Sequence, residues 1–376
     1  MDRLNILQVH QHLGIGGVES YLIRLTAGLS ARGHRVIILT EGGCKEKEAE
    51  AAGAKLIKIK FDPFYLNEAI HELTFDHQSF NIVHAHNYKS ARFARKLAHR
   101  LGIPYLMSVH GPRPFWQRFF FRDWSKPTIV MSEGDLKNIT GIFGIKREHI
   151  LLSFYGVDTD RFRPGLDTSQ LYAEFGLTKK NQIIVHISRF SHRKALVALT
   201  LLDAFVSLAS ERDNLVLLLV GDGPQKHRIE QKAETINRRL KRCAVILTGI
   251  RMDMELIMNL ADVVVATANT ALEAMSCGVP TIAFGRTGYF GIVTPDNFEA
   301  ARSVCFGDHG RCQTKAILQA LVNDIRFLLT NEDARSIALD NRHIIEAKYS
   351  LNQMAAQMEE IYYSVIASSG VKGRGD

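Results

Sequence analysis

The chain has 376 residues, of which 46% are apolar and 23% charged. This supports two domains of about 100–200 residues with ordinary cores and excludes wholesale disorder. No apolar run approaches the roughly 18–20 residues that a membrane-spanning helix needs. The opening MDRLN passes straight into an apolar run, without the basic-then-apolar pattern of a signal peptide. Five cysteines, at 44, 243, 277, 305 and 312, are odd in number and lack metal-ligand spacing. They predict a reduced, cytoplasmic protein with neither a disulfide framework nor a metal site. The net charge of +8 is uneven: residues 1–165 carry 23 Lys and Arg against 16 Asp and Glu, and the remainder 24 against 23. A basic first half favours an anionic partner, either a membrane surface or a charged substrate.

Residues 4–9, 35–40, 55–59, 81–85, 104–109 and 127–131 are short runs rich in Ile, Val and Leu. Such runs predict strands buried on both faces. Helical patterns fill the gaps at 18–31, 66–76, 90–100 and 134–143. The alternation predicts a parallel, doubly wound sheet. Gly156, Pro164 and Gly165 then break any helix, and Asp158, Asp160 and Asp167 keep the stretch polar, so a domain boundary is expected here. The second half repeats the scheme, with strands at 182–187, 215–220, 244–247, 263–266 and 281–284 and helices at 195–210, 225–240, 252–260 and 270–277. Residues from 314 onward read as helices, the last over 351–366. The expected division is 1–160, 161–350, a helix at 351–366 packing back on the first domain, and a flexible tail at 367–376. The tail's Arg374-Gly375-Asp376 is a chance tripeptide. The fold class is therefore α/β, with two Rossmann-like domains, and facing sheets of this kind make a cleft at their strand carboxyl ends.

Three segments carry candidate chemistry. Gly14-Ile15-Gly16-Gly17-Val18-Glu19 follows a strand and opens a helix, where glycines let backbone N–H groups approach a phosphate or a sugar. The dinucleotide fingerprint is not met, because its third glycine position holds Glu19. A tight strand-to-helix turn accounts for the glycines equally well. Arg189 and Lys194 sit past a strand and at the head of a helix, an arrangement suited to a diphosphate, though alone it reads as a solvated basic turn. Residues 269–280 read as a short helix, a Gly stop and a strand-starting Pro. Glu273 falls in the first turn of that helix, where a carboxylate can accept two hydrogen bonds from a ribose diol or simply stabilise the helix end.

The combination resembles the retaining GT-B glycosyltransferases of family four (glycosyl transferases group 1) along nearly the whole chain. The matching pieces occur in the family's order: Gly16-Gly17-Val18-Glu19, His84-Ala85-His86, Ser108-Val109-His110-Gly111, Gly156-Val157-Asp158 with Arg161-Phe162-Arg163-Pro164, Arg189 to Lys194, Val220-Gly221-Asp222-Gly223-Pro224, Ala261-Asp262-Val263, and Leu272-Glu273-Ala274-Met275 with Gly278 and Pro280. The resemblance implies that the first domain binds the acceptor and the second a nucleotide sugar. It implies that Gly16 and Gly17 approach the donor phosphates or the sugar, and that Arg189 and Lys194 neutralise the diphosphate in place of a metal. Backbone at Ile250 and Arg251 meets the base, amides of Thr270, Ala271 and Leu272 meet the distal phosphate, Glu273 the ribose, and His110 the sugar, with His86 facing the acceptor. No cofactor is implied, and a UDP-sugar is preferred over a GDP-sugar as donor. Asp158-Thr159-Asp160 imitates a metal-binding motif but falls in the linker, and reads as structural.

The pattern departs from the family at one place. A second glutamate is expected eight positions before Glu273, and that position holds Val265, inside a strand. The segment from Asp262 to Glu273 is shorter than usual, as in a subgroup with a shortened donor-sugar loop, which leaves contacts to the sugar to Asn269 or Thr270.

Residues 88–126 hold nine Lys and Arg against one acid, Asp123, interleaved with Phe115, Trp116, Phe119, Phe120, Phe121 and Trp124. Such a segment can rest on an anionic bilayer at the inner face of the membrane or guide a lipid-linked acceptor; the alternative is that the aromatics pack inside. Similar residues bind single-stranded nucleic acid, but no nucleic-acid partner is expected beside a sugar-transfer site. The expected activity is metal-independent, retaining sugar transfer to a glycan or lipid-linked acceptor in cell-envelope or exopolysaccharide synthesis. An inactive sugar-nucleotide-binding scaffold and a nucleotide-sugar epimerase are the competing readings.

Overall fold

In a computed structural model, which describes residues 2–74, 79–309 and 316–370, the apolar runs become the strands of two sheets. The chain divides into two units, one made of Met1–Gly156 with Tyr349–Asp376, the other of Val157–Lys348. The first unit runs β1 (Asn5–Val9), α1 (Gly17–Ala31), β2 (Arg35–Thr40), α2 (Glu46–Ala51), β3 (Ala54–Lys58), α3 (Leu66–Thr74), β4 (Ile82–Ala85), α4 (Tyr88–Leu101), β5 (Tyr105–Val109), β6 (Thr128–Val130), α5 (Glu133–Phe143) and β7 (Ile150–Leu152). Its sheet has the order β3-β2-β1-β4-β5-β6-β7, and every pairing is parallel. Leu7, Val9, Val83 and Ala85 fill one face of the sheet, and Ile6, Ile38 and Ile82 fill the other. Burial on both faces explains why these strands read as apolar runs.

The second unit runs α6 (Ser169–Glu174), β8 (Gln182–Ile187), α7 (His192–Ala209), β9 (Leu215–Val220), α8 (Lys226–Leu240), β10 (Val245–Gly249), α9 (Met254–Leu260), β11 (Val263–Ala266), α10 (Ala268–Ser276), β12 (Thr281–Gly285), β13 (Gly288–Ile292), α11 (Phe298–Ser303), α12 (Ile317–Thr330) and α13 (Asp333–Lys348). The strand order is β10-β9-β8-β11-β12-β13, parallel except for β13, which returns antiparallel to β12. Sequence patterning missed β7 and β13, the first a three-residue strand that follows directly on the polar residues 146–149, the second because glycines stand at 288 and 291. Glycine has low strand propensity.

The last helix, α14 (Leu351–Ser368), belongs to the first unit and lies against α1. Gly28 makes that approach possible, since a Cβ there would stand 2.7 Å from the Ala355 Cβ. Polar ties fix its register: His34 Nδ1 accepts from the Leu4 N–H, its Nε2 faces Glu359 Oε1 at 2.9 Å, and Arg32 Nε donates to Glu359 Oε2 at 2.7 Å. Tyr362 reaches His84 Nδ1 at 2.8 Å. The helix continues through Ser368, two residues into the stretch expected as tail. The tripeptide at 374–376 and Cys312 lie outside the described residues. Among the described residues no helix is long and apolar enough to cross a membrane.

Candidate functional site

In the second unit the chemistry-bearing residues collect at the carboxyl ends of β8, β11 and β12, where open parallel sheets bind ligands. His186, the next-to-last residue of β8, is fully buried. Its Nδ1 pairs with the Val265 carbonyl at 2.8 Å and its Nε2 with the Ser188 hydroxyl at 3.0 Å. Burial pushes its pKa down to about 4, so the imidazole is neutral and serves as a strut under residues 188–191. Those residues rest on the Gly221-Asp222-Gly223 turn, because Phe190 N–H donates to the Asp222 carbonyl and Gln225 N–H to that of Phe190, both at 2.9 Å. Gly221 has φ +141, and a Cβ there would lie 1.9 Å from the Ser188 carbonyl oxygen. The two glycines of this motif are therefore what let the basic loop sit down.

That loop leaves Arg189 exposed and starts α7 at His192. The Ser191 side chain does not cap the helix, and the first helical bond runs from Ala195 N–H to the Ser191 carbonyl. The N–H groups of residues 192–194 point out of the helix head, beside the Lys194 ammonium, as an anion site requires. Lys194 Nζ lies 3.5 Å from Asp308 Oδ1, and Arg286 Nε, just past β12, lies 3.6 Å from the same oxygen. Asp308, Arg286 and His309 are residues of this cluster that the sequence did not reveal. The one usable signal was that Arg286, like Arg189, follows a strand.

Two expectations for this unit change. Helix α10 starts at Ala268, after a one-residue link, Thr267, from β11. Glu273 is therefore in the second turn, not the first, and is buried. The Ala271 N–H is taken by the Thr267 carbonyl and Leu272 lies deeper still, so the free amides at the helix head are those of 268–270, Thr270 among them. Val265 is fully buried in the apolar core, in register with His186, and offers nothing to a ligand. Ile250 is 58% exposed past β10, whereas the Arg251 guanidinium is committed to Glu174 and Asp253, which leaves its backbone as the available part. Asn269 Oδ1 is buried without a hydrogen-bond partner among the described residues. Asp158 Oδ1 accepts from the Arg161 N–H at 3.0 Å, which makes it a turn cap. A groove of about 490 Å³ between α7 and α8, lined by Leu196, Asp203, Arg228 and Lys232 among others, contains none of these residues.

The first unit gathers Gly16, Gly17 and His110 around α1. Gly16 caps the helix, and its missing Cβ makes room for Glu19, whose Oε2 would lie 2.3 Å from it. Glu19 in turn faces His10 Nε2 at 3.1 Å. Burial pushes the Glu19 carboxyl up, but His10, its own backbone N–H and Lys45 outweigh that and hold it below its ordinary value. The Tyr21 ring, one turn on, packs tilted against His110 and His86, with ring centroids 4.7 and 5.9 Å away. Neither ring nitrogen of His86 or His110 has a hydrogen-bond partner among the described residues. Burial lowers the pKa of both, and takes His84 down to about 3.

Neutral buried imidazoles fix the sign of a pH effect. Between the ordinary value of 6.5 and the depressed values near 3 and 4 for His84 and His186, the unfolded chain binds protons that the folded chain refuses. Stability is full above pH 6.5 and is lost as pH falls through that window, by about 2 kcal/mol per histidine at pH 5. The melting temperature is expected to drop between pH 7 and pH 5; a flat profile there would contradict neutral burial.

The basic aromatic stretch is split. Phe121 and Trp124 pack at 4.9 Å from each other, and Trp124 at 5.1 Å from Phe143. Phe115, Trp116, Phe119 and Phe120 are instead 67%, 52%, 64% and 80% exposed, on a short 3-10 helix and its end, with Arg118 and Arg122 exposed beside them.

Comparison with known proteins agrees with this fold. Residues 15–161 match the model of Glycosyltransferase Family 4, and residues 181–331 that of Glycosyl transferases group 1. The chain is 28% identical to the N-acetyl-alpha-D-glucosaminyl L-malate synthase of Bacillus anthracis, over 53% of this chain and 50% of that enzyme. It is 23% identical to the alpha-monoglucosyldiacylglycerol synthase of Streptococcus pneumoniae, over 82% of this chain and 76% of that one. The structure of Anabaena HepE in complex with UDP and glucose superposes with a TM-score of 0.76 at 18% identity, over 96% of this chain and all (100%) of that chain. With two family matches in succession along the chain and two sheets of the Rossmann kind, the protein is a glycosyltransferase of the GT-B fold.

Proposed function

We propose that this glycosyltransferase moves a hexose from a UDP-sugar to a glycan or lipid-linked acceptor of the cell envelope, without a metal and with retention of anomeric configuration. The observation that carries the donor half is the head of α7, where free N–H groups, Lys194 and the exposed Arg189 stand together. Leaving-group charge building on a diphosphate is met there by fixed cations and amides. Glu273 accepts from the ribose hydroxyls, the 268–270 amides take the distal phosphate, and backbone at 250–251 takes the base. Retention, the metal-free leaving group, and the assignment of Gly16, Gly17 and His110 to the sugar rest on the family-four resemblance. UDP as the nucleotide is supported by HepE, described with UDP and glucose. A panel of UDP-, GDP- and ADP-sugars in a thermal-shift screen is expected to single out UDP, since bound ligand stabilises by mass action. Transfer assays on the selected donor then separate the readings: a bound donor with neither transfer nor hydrolysis over a broad acceptor panel would favour a scaffold.

Peripheral membrane contact completes the proposal. Four exposed aromatics in six residues, flanked by arginines, match an anionic interface, where each buried aromatic contributes about 1.5–3 kcal/mol and each cation about 1 kcal/mol. The glycolipid product in the name of the Streptococcus relative, an alpha-monoglucosyldiacylglycerol synthase, supports the same reading. The protein is expected to float with vesicles containing phosphatidylglycerol at low salt. Replacing Phe115, Trp116, Phe119 and Phe120 together by Ser is expected to abolish flotation with donor binding intact. Equal flotation of that variant would reject the patch.

A further inference from the structure

The segment 305–308 is held in a shape the chain does not adopt freely. Cys305, Phe306 and Gly307 have φ of 50°, 52° and 89°, three left-handed residues in a row, two of them not glycine. Such backbone persists only where its surroundings over-determine it. Here Thr287 donates to the Gly307 carbonyl through both its N–H and its hydroxyl, at 3.0 and 2.7 Å, and Thr267 Oγ1 donates to the Cys305 carbonyl at 3.3 Å. Gly285 lets the segment press in, because a Cβ there would stand 2.3 Å from the Gly307 carbonyl oxygen. The link from Thr267 also ties this segment to the head of α10.

The product of that construction is the position of Asp308. Its side chain is only 13% exposed, and Lys194 and Arg286 approach Oδ1 at 3.5 and 3.6 Å. These distances are too long for good hydrogen bonds, and Oδ1 has none among the described residues. Arg286 Nε is spent on the Asp308 main-chain carbonyl at 2.9 Å, so both cations stand beside Oδ1 without a hydrogen bond to it, and its acceptor capacity is left for another partner. An ionised carboxylate only accepts, as phosphate oxygens do, so the partner is not the diphosphate. The two neighbouring cations repel a metal ion or an amine. A neutral donor beside the diphosphate remains, and on a nucleotide sugar the neutral donors next to the diphosphate are chiefly the hydroxyls of the sugar.

We infer that the Asp308 carboxylate accepts a hydrogen bond from a hydroxyl of the transferred sugar and thereby selects the donor. The inference rests on the nucleotide-sugar reading above. It gives this chain a carboxylate at the sugar end from a different part of the fold than position 265.

The test is calorimetric titration of the full chain and of Asp308→Asn with UDP and with UDP-glucose. The substitution keeps the shape and removes the charge. The expected result is a loss of about 10- to 100-fold in affinity for UDP-glucose, the value of a hydrogen bond to a charged group, with UDP bound equally well or more tightly. Retained UDP binding also shows that the variant is folded. Equal changes for both ligands, or no change for either, overturn the inference. A wild-type chain that binds neither ligand rejects the donor reading itself, and this inference with it, before any variant is made.

Discussion

Replacing Lys194 by Ala is expected to lower kcat/KM for sugar transfer by about 100- to 1,000-fold, the usual cost of removing one preorganised charge stabiliser from a reacting centre. The ammonium stands at an uncapped helix head whose N–H groups already favour an anion, so its charge acts where the leaving diphosphate gains charge. Lys194 is partly buried, with 25% of its side chain exposed, and water screens it little. The effect is expected in kcat more than in KM, because the charge matters most in the transition state. Lys194→Met keeps length without charge and is expected to behave like Lys194→Ala. An unchanged kcat/KM in both variants would remove Lys194 from the chemistry.

A second large effect is expected far from any reacting atom. Gly221→Ala puts a Cβ 1.9 Å from the Ser188 carbonyl oxygen on a residue whose φ is +141. Neither the contact nor the backbone angle can be kept, so the loop carrying Arg189 must lift away from its support. The expected cost is about 2–4 kcal/mol, a fall in melting temperature of roughly 5–15 °C. Donor affinity is expected to fall as well, because the two cations are displaced together. The informative measurement is a melting curve beside a UDP titration. A variant that melts like the wild type and binds UDP equally would show that the turn is not what holds the loop.

Much of the fold was legible in the apolar runs. Strands over 35–40, 182–187, 215–220 and 263–266 are found at those residues, because buried parallel strands leave an uninterrupted run of Ile, Val and Leu. The antiparallel β13 was hidden by its glycines. The start of α10 was misplaced by two residues, since Thr267 and Asn269 read as loop residues although the link from β11 is one residue long. Counting eight positions back from Glu273 led into a core strand for the same reason. Arg189 and Lys194 were visible because they lie in one short segment after a strong strand. Asp308 and Arg286 were not, since they converge only through three left-handed residues that leave no pattern in the sequence. Composition also could not divide the aromatics of 88–126; packing alone separates Phe121 and Trp124 from the four exposed ones.

The central claim is that the second unit grips a nucleoside diphosphate with Lys194 and its helix head, and without a metal. Calorimetric titration with UDP in EDTA, on the wild type and on Lys194→Ala, tests it most directly. The expected result is binding by the wild type in EDTA and a loss of at least about tenfold in the variant, as for removal of one charged hydrogen bond. Wild-type binding that requires an added divalent cation, or equal binding by the two proteins, would contradict it.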